Sequence, residues 1–85
     1  QRSRIQYNLG LLLQKIKRDD EAESALKRAL GVEPDNPDYL YALAVFYMQR
    51  GRLDQARLMA ERLQTARPEM TAAREMLTII EKKGH

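Results

Sequence analysis

The 85-residue chain has no cysteine and no tryptophan, and its one histidine is the last residue, His85. Those absences remove disulfide scaffolds, thiolate nucleophiles and the usual Cys/His zinc sites together, and His85 is assigned no role. No run of about eighteen apolar residues occurs, and Gln1-Arg2-Ser3-Arg4 leads into an amphipathic segment, so neither a membrane span nor a secretory signal is visible. Charge of one sign is not concentrated either. Fifteen Lys and Arg stand against twelve Asp and Glu, net +3, with the signs mixed along the chain, whereas a nucleic-acid surface needs a basic tract or stripe. Gly-rich phosphate loops and zincin motifs are missing, and the serines are Ser3 and Ser24 only, so the residues suggest no enzyme and no cofactor. The acidic run Asp19-Asp20-Glu21 with Glu23 lacks the alternating oxygen ligands and turn glycine of a calcium loop, and reads as helix capping.

What is present is 44% apolar and 32% charged residues, the composition of a folded domain near the size at which one core becomes marginal. The sequence also repeats itself with a period of 34 residues. Laying Ser3 to Asn36 over Pro37 to Met70 matches Tyr7 with Tyr41, Leu9 with Leu43, Arg18 with Arg52, Asp20 with Asp54, Ala22 with Ala56, Arg28 with Arg62 and Pro34 with Pro68. A third copy starts at Thr71 and stops after one helix.

Each repeat reads as two helices. Ile5, Leu9, Leu12, Leu13 and Ile16 recur at helical spacing, as do Ala22, Ala25, Leu26, Ala29 and Leu30 after a charged break. In the second repeat Leu40, Leu43, Phe46 and Tyr47 mark one helix, and Ala56, Met59, Ala60 and Leu63 the next. Asp20 and Asp54 are expected to cap second helices, Asn36-Pro37 to open a first helix, and Gly51 to end one in the left-handed conformation. Ala73, Met76, Leu77 and Ile80 form a stripe expected to cover the second repeat.

These residues resemble the tetratricopeptide repeat family. Tyr7-Asn8-Leu9-Gly10 is similar to its first-helix signature, Asp20-Glu21-Ala22 to its second-helix start, Ala29-Leu30 to its close and Pro34-Asp35-Asn36 to its linker. Leu40, Leu43, Ala44, Tyr47, Gly51, Leu53, Ala56 and Pro68 repeat the pattern. Lys17 departs from it where the family usually has glycine, Asp19 where it usually has an aromatic, and Gln6 where it often has tryptophan. The pair Leu26 and Ala29 becomes Ala60 and Leu63, an exchange of large and small that keeps volume. The resemblance implies an all-α, right-handed α-α superhelix: one domain over residues 1–85, with repeat one at 3–36, repeat two at 37–70 and a capping helix at 71–83.

On the first helix of each repeat a second apolar stripe accompanies the core stripe: Tyr7 and Leu11, then Tyr41, Val45 and Met48. A helix apolar on two faces buries both. By resemblance to the family, the second face lines a concave groove that holds a peptide or partner segment, here an apolar or aromatic one. Arg4, Gln14, Lys15, Asp38 and Gln49 would form its polar rim. The family's carboxylate clamp is absent, since its places hold Tyr7, Leu11, Ala42, Ala72 and Met76. The expected function is a non-catalytic protein-interaction module within a larger protein, without nucleic acid or membrane as partner. The alternative is a structural or self-association module, its groove filled by another copy or by another domain of the parent chain. An uncovered first repeat, with Ile5, Leu12 and Ile16 outermost, makes a homodimer an expectation of that alternative.

Overall fold

The computed structural model describes residues 2–84; His85 and Gln1 lie outside the described residues. Among the described residues five helices follow one another: α1 (Arg2–Lys15), α2 (Asp19–Val32), α3 (Pro37–Gln49), α4 (Leu53–Ala66) and α5 (Thr71–Lys83). Both α2 and α4, and both α3 and α5, begin and end 34 residues apart, so the structural period is the sequence period. Each helix packs on the next, which gives a slab of 34 × 26 × 15 Å. The chain is an all-α helical repeat.

Local chemistry fixes the boundaries. The Asn36 side chain accepts from the backbone amides of Asp38 at 2.9 Å and Tyr39 at 3.3 Å, with Pro37 in the first turn where its missing N–H costs nothing. Gly51 ends α3 with φ 74°, and Lys17, one period earlier, adopts φ 66°. The turn therefore keeps its left-handed residue even where the glycine is lost, at a cost of about 1–2 kcal/mol for the side chain.

The expected aspartate caps are displaced. The helices start one residue before Asp20 and Asp54, and the cap positions fall on Arg18 and Arg52, neither of which makes a side-chain cap hydrogen bond. Asp20 and Asp54 sit in the first turn, where a carboxylate favours the positive helix end by a few tenths of a kcal/mol. Their sequence offset was compatible with either place.

The core centres on α3, which α2 and α4 flank. Tyr39, Leu40, Leu43, Ala44, Phe46 and Tyr47 are all buried, facing Ala22, Leu26, Ala29 and Leu30 on one side and Ala56, Met59, Ala60 and Leu63 on the other. Leu26, Ala29, Ala60 and Leu63 are fully buried, so the exchange of large and small leaves no member of that face open to water. On α5, Ala73, Met76 and Ile80 are buried and Leu77 half-buried, while Arg74, Glu75, Thr78, Glu81 and Lys82 face solvent. α1 differs from its counterparts: only Ser3 and Gly10 are buried, and Ile5, Leu9, Leu12 and Ile16, core candidates by spacing, are exposed. The counterparts of Ile5, Leu9 and Leu12 in α3, Tyr39, Leu43 and Phe46, are buried because α2 precedes α3, and no described helix precedes α1.

Candidate functional site

The first helices of the repeats, α1 and α3, carry all ten groove candidates, and their side chains bridge at both ends. The Arg4 guanidinium approaches the Asp38 carboxylate at 4.0 Å near the helix N-termini. Near the C-termini, Gln14 Nε2 donates to Gln49 Oε1 at 3.0 Å. Between these bridges lies an apolar strip. Leu11 is exposed, Val45 and Met48 are half-buried against the core, and Tyr41 is 44% exposed although Leu43, two residues on, is 1% exposed. Tyr41, Val45 and Met48 share one helix face by their i, i+4, i+7 spacing. Ile79 of α5, one period after Val45, is also exposed and stands at the same register position.

Tyr7 departs from the expectation that it would match Tyr41. Its ring is half-buried and tilted against the buried Tyr39 at 5.0 Å between centroids, with the Arg4 guanidinium over it at 5.6 Å. Burial, chiefly, raises the Tyr7 phenol above its ordinary pKa; Asp38 adds to the rise and Arg4 opposes it. Tyr7 is thus drawn in against Tyr39, while Tyr41 is exposed. Lys15 is exposed beside Gln14, where a cavity of about 510 Å³ opens between the ends of α1 and α3, lined by Leu11, Gln14, Lys15, Lys17, Asp19, Gln49 and Arg50.

Sequence reasoning missed two polar clusters that hold these helices in place. The Tyr39 hydroxyl donates to Ser3 Oγ at 3.0 Å, and Ser3 in turn donates to Glu33, so the start of α1 is tied to the end of α2 and to α3. The hydrogen bond from Ser3 is the main reason the Glu33 carboxyl is held below its ordinary pKa. The second cluster surrounds Glu23, which accepts from the Tyr47 hydroxyl at 2.8 Å and Arg52 at 3.0 Å, with Lys27 Nζ at 3.3 Å. Burial, the largest influence on Glu23, raises its pKa, but the hydrogen bonds from Tyr47, Arg52 and Lys27 together with the Lys27 charge outweigh it, and the net direction is down. Burial and then Glu23 push the Tyr47 phenol well above its usual range. An available signal was the repeat itself, since Glu23 has no acidic counterpart at Arg57.

The acidic run is divided among these structural tasks. Asp19 pairs with Arg50, whose guanidinium also lies over the Phe46 ring at 4.3 Å, and Glu21 pairs with Arg18 at 2.6 Å. Among the described residues, no group of three or more His, Cys, Asp or Glu is placed to hold a metal ion. No helix among them is long and apolar enough to cross a membrane. The pair Arg57 and Glu61, available by spacing, is not formed; Arg62 instead donates to the Pro34 carbonyl at 2.8 Å, tying the second repeat to the linker of the first.

Comparison with known proteins agrees with the geometry. The chain is 36% identical over 67 residues to "Cellulose synthase operon protein C" of Xanthomonas axonopodis pv. citri (strain 306), an alignment that covers 79% of this chain and 4% of that protein. The chain therefore spans a small part of the length of that relative. The sequence model of the tetratricopeptide repeat matches residues 17–80, across α2, α3, α4 and most of α5. With the 34-residue helical pairs and the matched positions above, this establishes that the chain belongs to the tetratricopeptide repeat family.

Proposed function

We propose that the strip between α1 and α3 binds a short apolar or aromatic peptide segment of a partner protein. Tetratricopeptide repeats are in general protein-interaction modules and are typically non-catalytic, and this reading gives the general role a place on the molecule. The observation that carries it is Tyr41: a large ring 44% exposed, on a helix whose neighbouring positions are almost all buried, beside half-buried Val45 and Met48. An exposed aromatic above an apolar floor is the usual composition of an interface hot spot. The polar bridges Arg4–Asp38 and Gln14–Gln49 supply donors and acceptors at the two ends.

The test is selection of peptides from a displayed random library on the full chain. Enriched sequences are expected to carry an aromatic or large aliphatic residue, and Tyr41→Ala to weaken the best of them about tenfold or more, which is about 1.4 kcal/mol. Leu58→Ala, which alters an exposed leucine of α4, serves as the control and is expected to leave binding unchanged. Equal binding by wild type and Tyr41→Ala, with both chains folded, would place the contact elsewhere.

A further inference from the structure

The strip between α1 and α3 is electrically lopsided. At one end the Arg4 charge is met by Asp38. At the other, the cavity of about 510 Å³ brings Lys15, Lys17 and Arg50 together with one carboxylate, that of Asp19. Arg50 takes that carboxylate, so Lys15 and Lys17 stay exposed and form no ion pair with another described residue. Steps of 34 residues carry Gln14 to Met48 and Lys82, and Lys15 to Gln49 and Lys83. The register position of the cavity rim therefore holds two further cations on α5, both exposed and likewise unpaired.

Helix-end electrostatics alone does not account for this placement. Cations favour any helix C-terminus, yet α2, α3 and α4 have no basic residue in the last turn, and only α1 and α5 do. Lys17 lies past the end of α1 with φ 66°, a left-handed conformation that glycine adopts freely and that Gly51 fills one period later. A cation is held there against the local preference of the backbone.

Leu11 belongs both to the apolar strip and to the lining of the cavity. At a rise of about 1.5 Å per residue, Lys15 stands about 6 Å further along α1 than Leu11, a distance that an extended peptide covers in about two residues. An apolar side chain seated on the strip thus brings a side chain about two residues away to the lysines.

We infer that the strip selects a segment with side-chain carboxylates of Asp or Glu on one side of its apolar or aromatic anchor, held by Lys15 and Lys17 and, further across the repeats, by Lys82 and Lys83. The inference rests on the strip as a peptide site and adds the charge and the direction of what it binds. Side chains, not a chain terminus, are the occupants, because the cations are shared between α1 and α5 with α3 between them, an arrangement that several carboxylates satisfy and one does not. None of the four lysines stands at a position of the family's carboxylate clamp, where this chain has Tyr7, Leu11, Ala42, Ala72 and Met76. Complementary charge across a groove sets partner choice and orientation more than raw affinity.

The test is selection from a random library of short peptides, acetylated and amidated at their ends, on the full chain and on its double variant Lys15→Gln, Lys17→Gly. The variant installs the residues that the second repeat carries at both places, Gln49 and Gly51, and circular dichroism checks that it is folded. The unchanged chain is expected to select an apolar or aromatic anchor with Asp and Glu enriched about threefold or more on one side of it. The variant is expected to keep the anchor, lose the enrichment and bind the best acidic peptide about fivefold more weakly. On the unchanged chain alone, added NaCl is expected to weaken that peptide and to leave its amide-for-acid counterpart nearly unaffected. An anchor selected without acidic enrichment overturns the inference and leaves the strip as a peptide site, whereas the absence of any anchor overturns both. Enrichment that survives in the variant, or binding of the acidic peptide that is indifferent to salt, also overturns it. So does a parallel library with free C-termini from which peptides are retained whatever their side chains, since the ligand is then a chain terminus.

Discussion

A Cβ placed on Gly10 would stand 2.7 Å from Cγ and Cδ2 of Leu26 and 3.3 Å from the Ala22 carbonyl oxygen. Leu26 is fully buried, so it has little room to retreat, and α1 and α2 meet at a point where only glycine fits. One period later the pair is Ala44 and Ala60, both fully buried: the first helix gains a methyl and the second gives up most of a leucine. The two repeats reach the same close approach with volume moved from one helix to the other.

Gly10→Ala is therefore expected to destabilise the chain. Overpacking costs about 1–3 kcal/mol, reduced by the roughly 1 kcal/mol that alanine gains over glycine in a helix. Leu26→Ala alone is expected to cost about 2–5 kcal/mol as a buried truncation. The double variant reproduces the pair found in the second repeat and is expected to be more stable than the sum of the single effects. Urea unfolding of the four chains measures the coupling, and strict additivity would show that the contact is not the constraint.

Residues 71–85 are expected to be indispensable. Their removal would uncover the surface of α4 against which Ala73, Met76 and Ile80 are buried, and would leave that end of the stack without its polar outer face. The truncated chain is expected to aggregate or lose helicity. A soluble truncation with unchanged melting temperature by circular dichroism would remove the capping role of α5.

Much of this arrangement was legible because the period recurs. Thr71, the buried stripe of α5 and the Asn36-Pro37 start follow from spacing and turn chemistry alone. The exposure of Leu9 did not, since periodicity marks a face that prefers burial without saying whether a neighbour supplies it. Tyr7 and Tyr41 illustrate the same limit within the candidate site. They occupy one register position, yet Tyr39 beneath Tyr7 and Arg4 above it draw the first ring in, and neither contact is encoded in the repeat. The partners of Glu23 and Ser3 were hidden for a related reason: Tyr47 is 24 residues from Glu23 and Tyr39 is 36 from Ser3, outside any local pattern.

Stability is expected to fall at both ends of the pH scale through the contact of Tyr47 with Glu23. The Glu23 pKa is lowered in the folded chain, so its contribution is fully present above about pH 4.3, the unfolded value, and is lost as pH falls through the folded value. The Tyr47 pKa is raised, so its contribution is present below about pH 10 and is lost as pH rises beyond that. Glu23→Gln is expected to flatten the acid limb without abolishing it, because the lowered pKa of Glu33 acts in the same direction. Tyr47→Phe is expected to flatten the alkaline limb. Unfolding free energies measured across both ranges check the assignment, and unchanged slopes in the two variants would move the titrating groups elsewhere.

The last prediction sets Tyr41 against Leu43. The two are separated by two positions on α3 and point to different faces, one 44% exposed and the other 1% exposed. Leu43→Ala removes buried atoms among α2, α3 and α4 and is expected to cost about 2–5 kcal/mol of stability. Tyr41→Ala removes a ring that solvent already reaches, and is expected to cost less than about 1.5 kcal/mol. In partner binding the order is expected to reverse. Loss of the tyrosine weakens a selected peptide by roughly 2 kcal/mol, about thirtyfold, while Leu43→Ala, assayed where it is still folded, binds nearly as wild type. Unfolding and binding measured on the same two variants separate the roles. If Tyr41→Ala unfolds the chain as badly as Leu43→Ala, the ring is part of the core and the interaction surface lies on another face.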